Sequence, residues 1–223
     1  MARALASGAR GRRFKSCHPD SCPALPGGCS TEHPMPEPVI VVSGLPRSGT
    51  SLAMQAIHAG GIEPVTDGQR VADPDNPRGY YEFERVKALR TDKAWLDDAA
   101  GKVVKVIHML VPELPDDRPY RIVFMERELD EVLASQSTML ARSGRSGASL
   151  PPDRLKAIYE QQLRQVHDWI AARSNVQALR VGYRSFITAP VIEVDRIADF
   201  IGVPMDRAAM VRAVDPSLYR NKA

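Results

Sequence analysis

The stretch Val39–Gly61, VIVVSGLPRSGTSLAMQAIHAGG, constrains the fold of this chain more than any other. A β-branched apolar run ends in glycine and a proline-glycine turn follows. Leu52, Ala56 and Ala59 then recur at helical spacing as far as Gly60 and Gly61. The pattern predicts strand, loop and helix. Gly44 and Gly49 bracket the loop, where glycine lets backbone N–H groups turn inward on an anion and the following helix adds its positive end. Against the nucleoside-triphosphate pattern G-x-x-x-x-G-K-[ST], Thr50 stands where the lysine belongs, Ser51 keeps the hydroxyl, and the cation has moved into the loop as Arg47. An anion other than a triphosphate chain is expected.

The rest of the chain supplies partners for that unit. KVVKVIHML, YRIVFMER and VQALRVGY read as further buried strands. YYEFERVKALRTDKAWL, LDEVLASQSTMLAR, residues 153–173, VIEVDRIADFIG and a short tail read as helices. Apolar strands alternating with helices predict an α/β fold, a three-layer parallel sheet flanked by helices, of the P-loop nucleotide-binding type. Ligands of such sheets bind beyond the carboxyl ends of the strands. DPDNPRG at 73–79 is turn material, and the Gly/Ser-rich 143–149 predicts a mobile loop.

Length and composition bound the alternatives. With 223 residues, 43% of them hydrophobic, residues 37–223 are expected to form one domain. A net charge of +3 gives no forecast of nucleic-acid binding, and no apolar run approaches the roughly 20 residues of a membrane span. The basic start has no apolar core of a secretory signal, so a cytoplasmic protein is expected. Residues 1–36 carry Cys17, Cys22 and Cys29 at a spacing that matches no regular zinc knuckle. Their Gly, Pro, Ser and Arg content predicts disorder. RFKSC, back-translated, resembles the T-arm of a transfer-RNA gene, which puts the expected start at Met35.

The motifs point to a family. PRSGTS resembles the 5′-phosphosulfate loop of sulfotransferases, usually P-K-S-G-T-T, which grips 3′-phosphoadenylyl sulfate (PAPS). In cytosolic sulfotransferases an arginine ends a central strand and a serine eight residues later joins it on the 3′-phosphate; Arg127 and Ser135 resemble that pair in type and spacing. VQALRVGYRSFITAPVIEVDRIADFIG resembles the late strand, tyrosine turn and helix of the family, which assigns Tyr183 to the adenine. The family's late R-K-G-x-x-G-D-W-K segment is absent, with Arg220 of YRNK at 219–222 a candidate substitute.

The resemblance implies a sulfotransferase that takes PAPS as co-substrate, without a metal, and passes the sulfuryl group to a hydroxyl or amine of a small-molecule or glycan acceptor. It implies that Arg47, Ser48, Gly49, Thr50 and Ser51 hold the 5′-phosphosulfate, with Arg47 also stabilising charge on the transferring group. Two residues are candidates for the general base. His108 follows a strand as the histidine of K-T-H-L-P does, although Lys105 precedes it by three residues and not two. Glu82 lies where a turn enters the next helix. Residues 67–95 and 143–152 are the expected acceptor cleft and lid, and Arg78 and Arg145 hint at an anionic acceptor. A degenerate P-loop kinase or NTPase, and a non-catalytic nucleotide-binding protein of the same fold, are the alternatives. The missing lysine at position 50 and the missing Asp after RIVFMER weigh against Mg²⁺ chemistry.

Overall fold

The structure is a computed structural model and describes residues 37–68, 79, 81–142 and 150–215. The chain divides into Met1–Pro34 and Met35–Ala223, and every described residue lies in the second unit. The expectations for residues 1–36, the loop 143–149, Arg78, Arg145 and Arg220 fall outside the described residues. Among the described residues no helix is long and apolar enough to cross a membrane.

Among the described residues four parallel strands form one sheet in the order β2-β1-β3-β4. They are β1 (Val39–Gly44), β2 (Val103–Lys105), β3 (Tyr120–Glu126) and β4 (Val176–Gly182). All six residues of β1 are buried, as befits a strand paired on both edges and covered on both faces. Side chains alternate between the two faces with the period of the pleat. Ile40, Val42, Val103, Val123 and Met125 join the core under α1 (Thr50–Ala59), α5 (Pro190–Ile201) and α6 (Arg207–Ala213). Val39, Val41, Val104, Ile122 and Phe124 join the opposite core, which takes in Val166 of α3 (Pro152–Ala171). The expected helix-sheet-helix layering is the observed one. Each fully buried apolar side chain of this kind contributes about 1.5–3 kcal/mol.

Two local expectations are corrected. The apolar spacing from Phe83 to Leu96 predicts one helix, but the chain makes two 3-10 helices, Glu84–Ala88 and Ala94–Ala99. Asp92 lies between them, accepting two hydrogen bonds from Arg85 and one from the Ala94 amide. An aspartate that satisfies nearby donors in this way competes with a continuous helix. KVVKVIHML likewise predicts a long strand, yet β2 has three residues and a 3-10 helix, His108–Glu113, follows. Two helices match their expected spans closely, α2 (Leu129–Arg142) and α3; α4 (Tyr183–Thr188) is additional.

Candidate functional site

Each strand delivers its next residues to the same edge of the sheet. β1 ends in the loop Leu45–Gly49, β2 in Lys105, β3 in Glu126 followed by Arg127, and β4 in Gly182 followed by Tyr183. The parallel topology therefore gathers residues far apart in sequence around the start of α1.

The loop has the backbone of an anion cradle. Gly44 and Gly49 lie at φ 148° and 100°, and Arg47 adopts φ 73°, uncommon for a residue with a side chain. Added bulk has no room at either glycine: a Cβ on Gly44 would meet Met125 O at 2.6 Å, and one on Gly49 would meet Tyr183 Cδ2 at 2.4 Å. The Ser48 amide donates to Leu45 O and tightens the turn, while the buried Ser48 Oγ has no hydrogen-bond partner among the described residues. α1 starts at Thr50 with no side-chain cap and no acidic residue in its first turn. A helix start of this kind leaves N–H groups and positive potential for an anion.

On the β3 side four predicted residues come together. Arg47 Nε donates to Ser135 Oγ of α2 at 3.0 Å. Arg127 donates to the Arg47 carbonyl at 3.2 Å and to Glu131 at 2.7 Å, and its guanidinium stacks 4.3 Å from the Tyr183 ring centroid. The Arg127 and Glu131 side chains are 7% and 4% exposed, so this charge pair is desolvated as well as bonded. The Tyr183 ring also occupies the space a Cβ on Gly49 would fill. The sequence reading assigned Arg47 to the sulfuryl end and Ser135 to the 3′-phosphate; the structure puts the two in contact.

On the β2 side stands a lysine that sequence reasoning passed over. Lys105 Nζ donates to Ser51 Oγ at 3.2 Å and lies 3.7 Å from Glu82 Oε1. The signal was present in the alternation of β2: Val103 faces α1, so Lys105, two residues on, does as well. A cation from the neighbouring strand thus reaches the first turn of α1, beside the position after Gly49 where the lysine is missing. Glu82 is 34% exposed beside it.

His108 is placed differently. It is 1% exposed, its Nε2 lies 2.9 Å from Gln162 Oε1 of α3, and Ser51, Lys105 and Glu82 are not among its hydrogen-bond partners. Burial, the largest influence, lowers its pKa, and the contacts with Gln162 and the Gly44 backbone oppose that. A neutral buried imidazole tied to α3 offers no face to an acceptor in this conformation.

A glycine-bracketed loop, an uncapped helix start and cations that follow two neighbouring strands meet at the carboxyl edge of the sheet of this α/β protein. A family model described as "Sulfotransferase family" matches residues 83–207, more than half of the chain, and the chain belongs to that family. The match begins beyond the loop, so membership stands on β2 to α5 independently of PRSGTS.

Three solved structures are similar to it. The sulfotransferase domain of the Synechococcus PCC 7002 olefin synthase is 17% identical over 84% of this chain and 87% of that one, with a TM-score of 0.49. The sulfotransferase domain of the curacin biosynthetic pathway is 14% identical over 81% and 79%, with a TM-score of 0.47. A sugar kinase from Janibacter sp. HTCC2649 is 14% identical over 82% and 98%, with a TM-score of 0.39. No curated protein matches the chain.

Proposed function

We propose that the protein transfers a sulfuryl group from PAPS to a hydroxyl or amine, with the donor lying across the start of α1. The observation that carries this reading is the two-sided arrangement of cations about one anion loop. Arg47 lies in it and is joined by Arg127 on the β3 side, and Lys105 approaches the adjoining start of α1 from the β2 side. A ligand with phosphate groups on both sides of one ribose matches that spread, whereas a triphosphate extends in one direction only.

In this reading Ser48, Gly49, Thr50 and Ser51 hold the 5′-phosphosulfate. Arg127 and Ser135 take the 3′-phosphate, Arg47 joins them, and Tyr183 lies by the adenine. Lys105, beside Ser51, neutralises charge on the transferring group and the leaving phosphate. Glu82 takes the acceptor proton in preference to His108, because it is accessible and lies next to the cation that faces the loop. The acceptor oxygen or nitrogen forms a bond to sulfur while the bond from sulfur to the 5′-phosphate oxygen breaks. The proton ends on Glu82, and the products are the sulfated acceptor and adenosine 3′,5′-bisphosphate.

Calorimetry in EDTA tests the donor assignment. Adenosine 3′,5′-bisphosphate is expected to bind without Mg²⁺, with ATP at least about tenfold weaker, a difference of about 1.4 kcal/mol. Tight Mg²⁺-dependent ATP binding with phosphate release would overturn the reading in favour of a kinase.

A further inference from the structure

Among the described residues only two without a glycine backbone adopt positive φ: Arg47 at 73° and Tyr81 at 52°. Arg47 belongs to the donor loop. Tyr81 immediately precedes Glu82 and has no part in the reading above. For a bulky residue this conformation is strained and persists only where the surroundings over-determine it, and such residues gather at functional sites.

The surroundings of Tyr81 do over-determine it. Its hydroxyl lies 3.2 Å from His58 Nδ1, and its ring meets the imidazole edge-on, with centroids 5.7 Å apart at 74°. The ring also packs on the core beneath α1. On the other side of Glu82 the backbone is gripped again: the Glu82 carbonyl accepts from Thr66 Oγ1 at 2.9 Å, and Asp67 Oδ2 accepts from the Glu84 amide at 2.7 Å.

These contacts close a ring. Ser51 and His58 are seven residues apart in α1, two turns, and therefore on one face, about 10 Å apart along the axis. Ser51 accepts from Lys105, Lys105 pairs with Glu82, and Glu82 is joined covalently to Tyr81, which returns to His58. The same helix that presents the donor loop at one end fixes the neighbour of Glu82 at the other. Reversing φ at residue 81 changes the direction in which the chain leaves Tyr81, and with it the aim of the Glu82 side chain.

We propose that Tyr81, locked in its left-handed conformation by His58, is the positioning residue that aims the Glu82 carboxylate at the acceptor hydroxyl. The proposal rests on the sulfotransferase reading and on Glu82 as the base. Alignment of a base at this level is worth about tenfold to a hundredfold in rate.

The test uses the full chain and follows PAPS turnover, with water and with 4-nitrophenol as acceptor probes, alongside calorimetry of adenosine 3′,5′-bisphosphate. Tyr81→Phe keeps the ring and removes the hydroxyl. It is expected to lower kcat about tenfold while leaving KM for PAPS and bisphosphate affinity unchanged. His58→Ala should match it, His58→Gln should restore most of the rate, and the double variant Tyr81→Phe with His58→Ala should be no worse than either single one. Tyr81→Gly accepts the left-handed backbone but removes the ring that packs on the core and meets His58, so kcat should fall further, and it is read on a chain that urea unfolding shows to be folded. Wild-type kcat in Tyr81→Phe or Tyr81→Gly, with bisphosphate still bound, overturns the positioning role alone. Wild-type kcat in Glu82→Gln removes the base and the proposal with it. A wild-type chain that neither binds bisphosphate nor turns over PAPS overturns the sulfotransferase reading itself.

Discussion

Arg47 Nε donates to Ser135 Oγ at 3.0 Å, joining the anion loop after β1 to the second turn of α2 across 88 residues of sequence. The bond ties the only cation of the loop to the helix that follows Arg127. Contacting residues of one network typically couple by about 0.5–3 kcal/mol. A double-mutant cycle of Arg47→Ala and Ser135→Ala, read as adenosine 3′,5′-bisphosphate affinity, is expected to show coupling in that range. Strict additivity would mean that the two act on separate parts of the ligand.

Arg127→Ala should weaken adenosine 3′,5′-bisphosphate far more than adenosine 5′-phosphate, since only the former carries the 3′-phosphate. A charge-assisted hydrogen bond contributes about 1.5–3 kcal/mol, or roughly 10- to 150-fold in affinity. Arg127 also holds the Arg47 carbonyl and Glu131, so both affinities are measured against the melting temperature of the variant. Equal losses for the two nucleotides would make Arg127 a structural residue.

Gly49→Ala combines two penalties. The backbone at φ 100° is costly for any side chain, and the new methyl meets the Tyr183 ring at 2.4 Å while Arg127 stacks on that ring. A destabilisation of about 1–3 kcal/mol in urea unfolding is expected, with loss of nucleotide binding. Adding Tyr183→Ala should recover the steric part of the loss and leave the backbone part. Full recovery would show that backbone strain is negligible there.

His108 makes stability depend on pH. Its folded pKa lies below the ordinary value of 6.5 because burial penalises the charged ring, so the unfolded chain binds the proton more readily. The contribution is complete above pH 6.5 and is lost as pH falls below that value. His167, also lowered by burial, has the same sign. Urea midpoints are expected to drop between pH 7.5 and pH 5, and His108→Asn should flatten that dependence. An unchanged slope in the variant would place the titrating group elsewhere.

A chain begun at Met35 is expected to keep the melting temperature and bisphosphate affinity of the full sequence, as the composition of residues 1–36 implies. Loss of the fold on truncation, or zinc retained by the Cys17, Cys22 and Cys29 segment, would sink that expectation.

Local pattern alone determined a good part of this protein. The β-branched run before Gly44, the two bracketing glycines and the helical spacing after Thr50 specify strand, loop and helix, because each depends on residues within about ten positions. The eight-residue step from Arg127 to Ser135 was equally legible, since it lies within one strand-helix junction. The same reasoning misread residues 83–96, where apolar spacing fits a helix and two 3-10 turns alike until Asp92 finds its partners. Only tertiary structure decided that Arg47 meets Ser135, that Lys105 reaches Ser51, and that Glu82 stands beside Lys105 while His108 is buried against α3. Period tells which face of an element a side chain occupies. Which distant residue faces it is set by strand order and by the direction in which each strand ends, and those follow from how the whole chain packs its two cores.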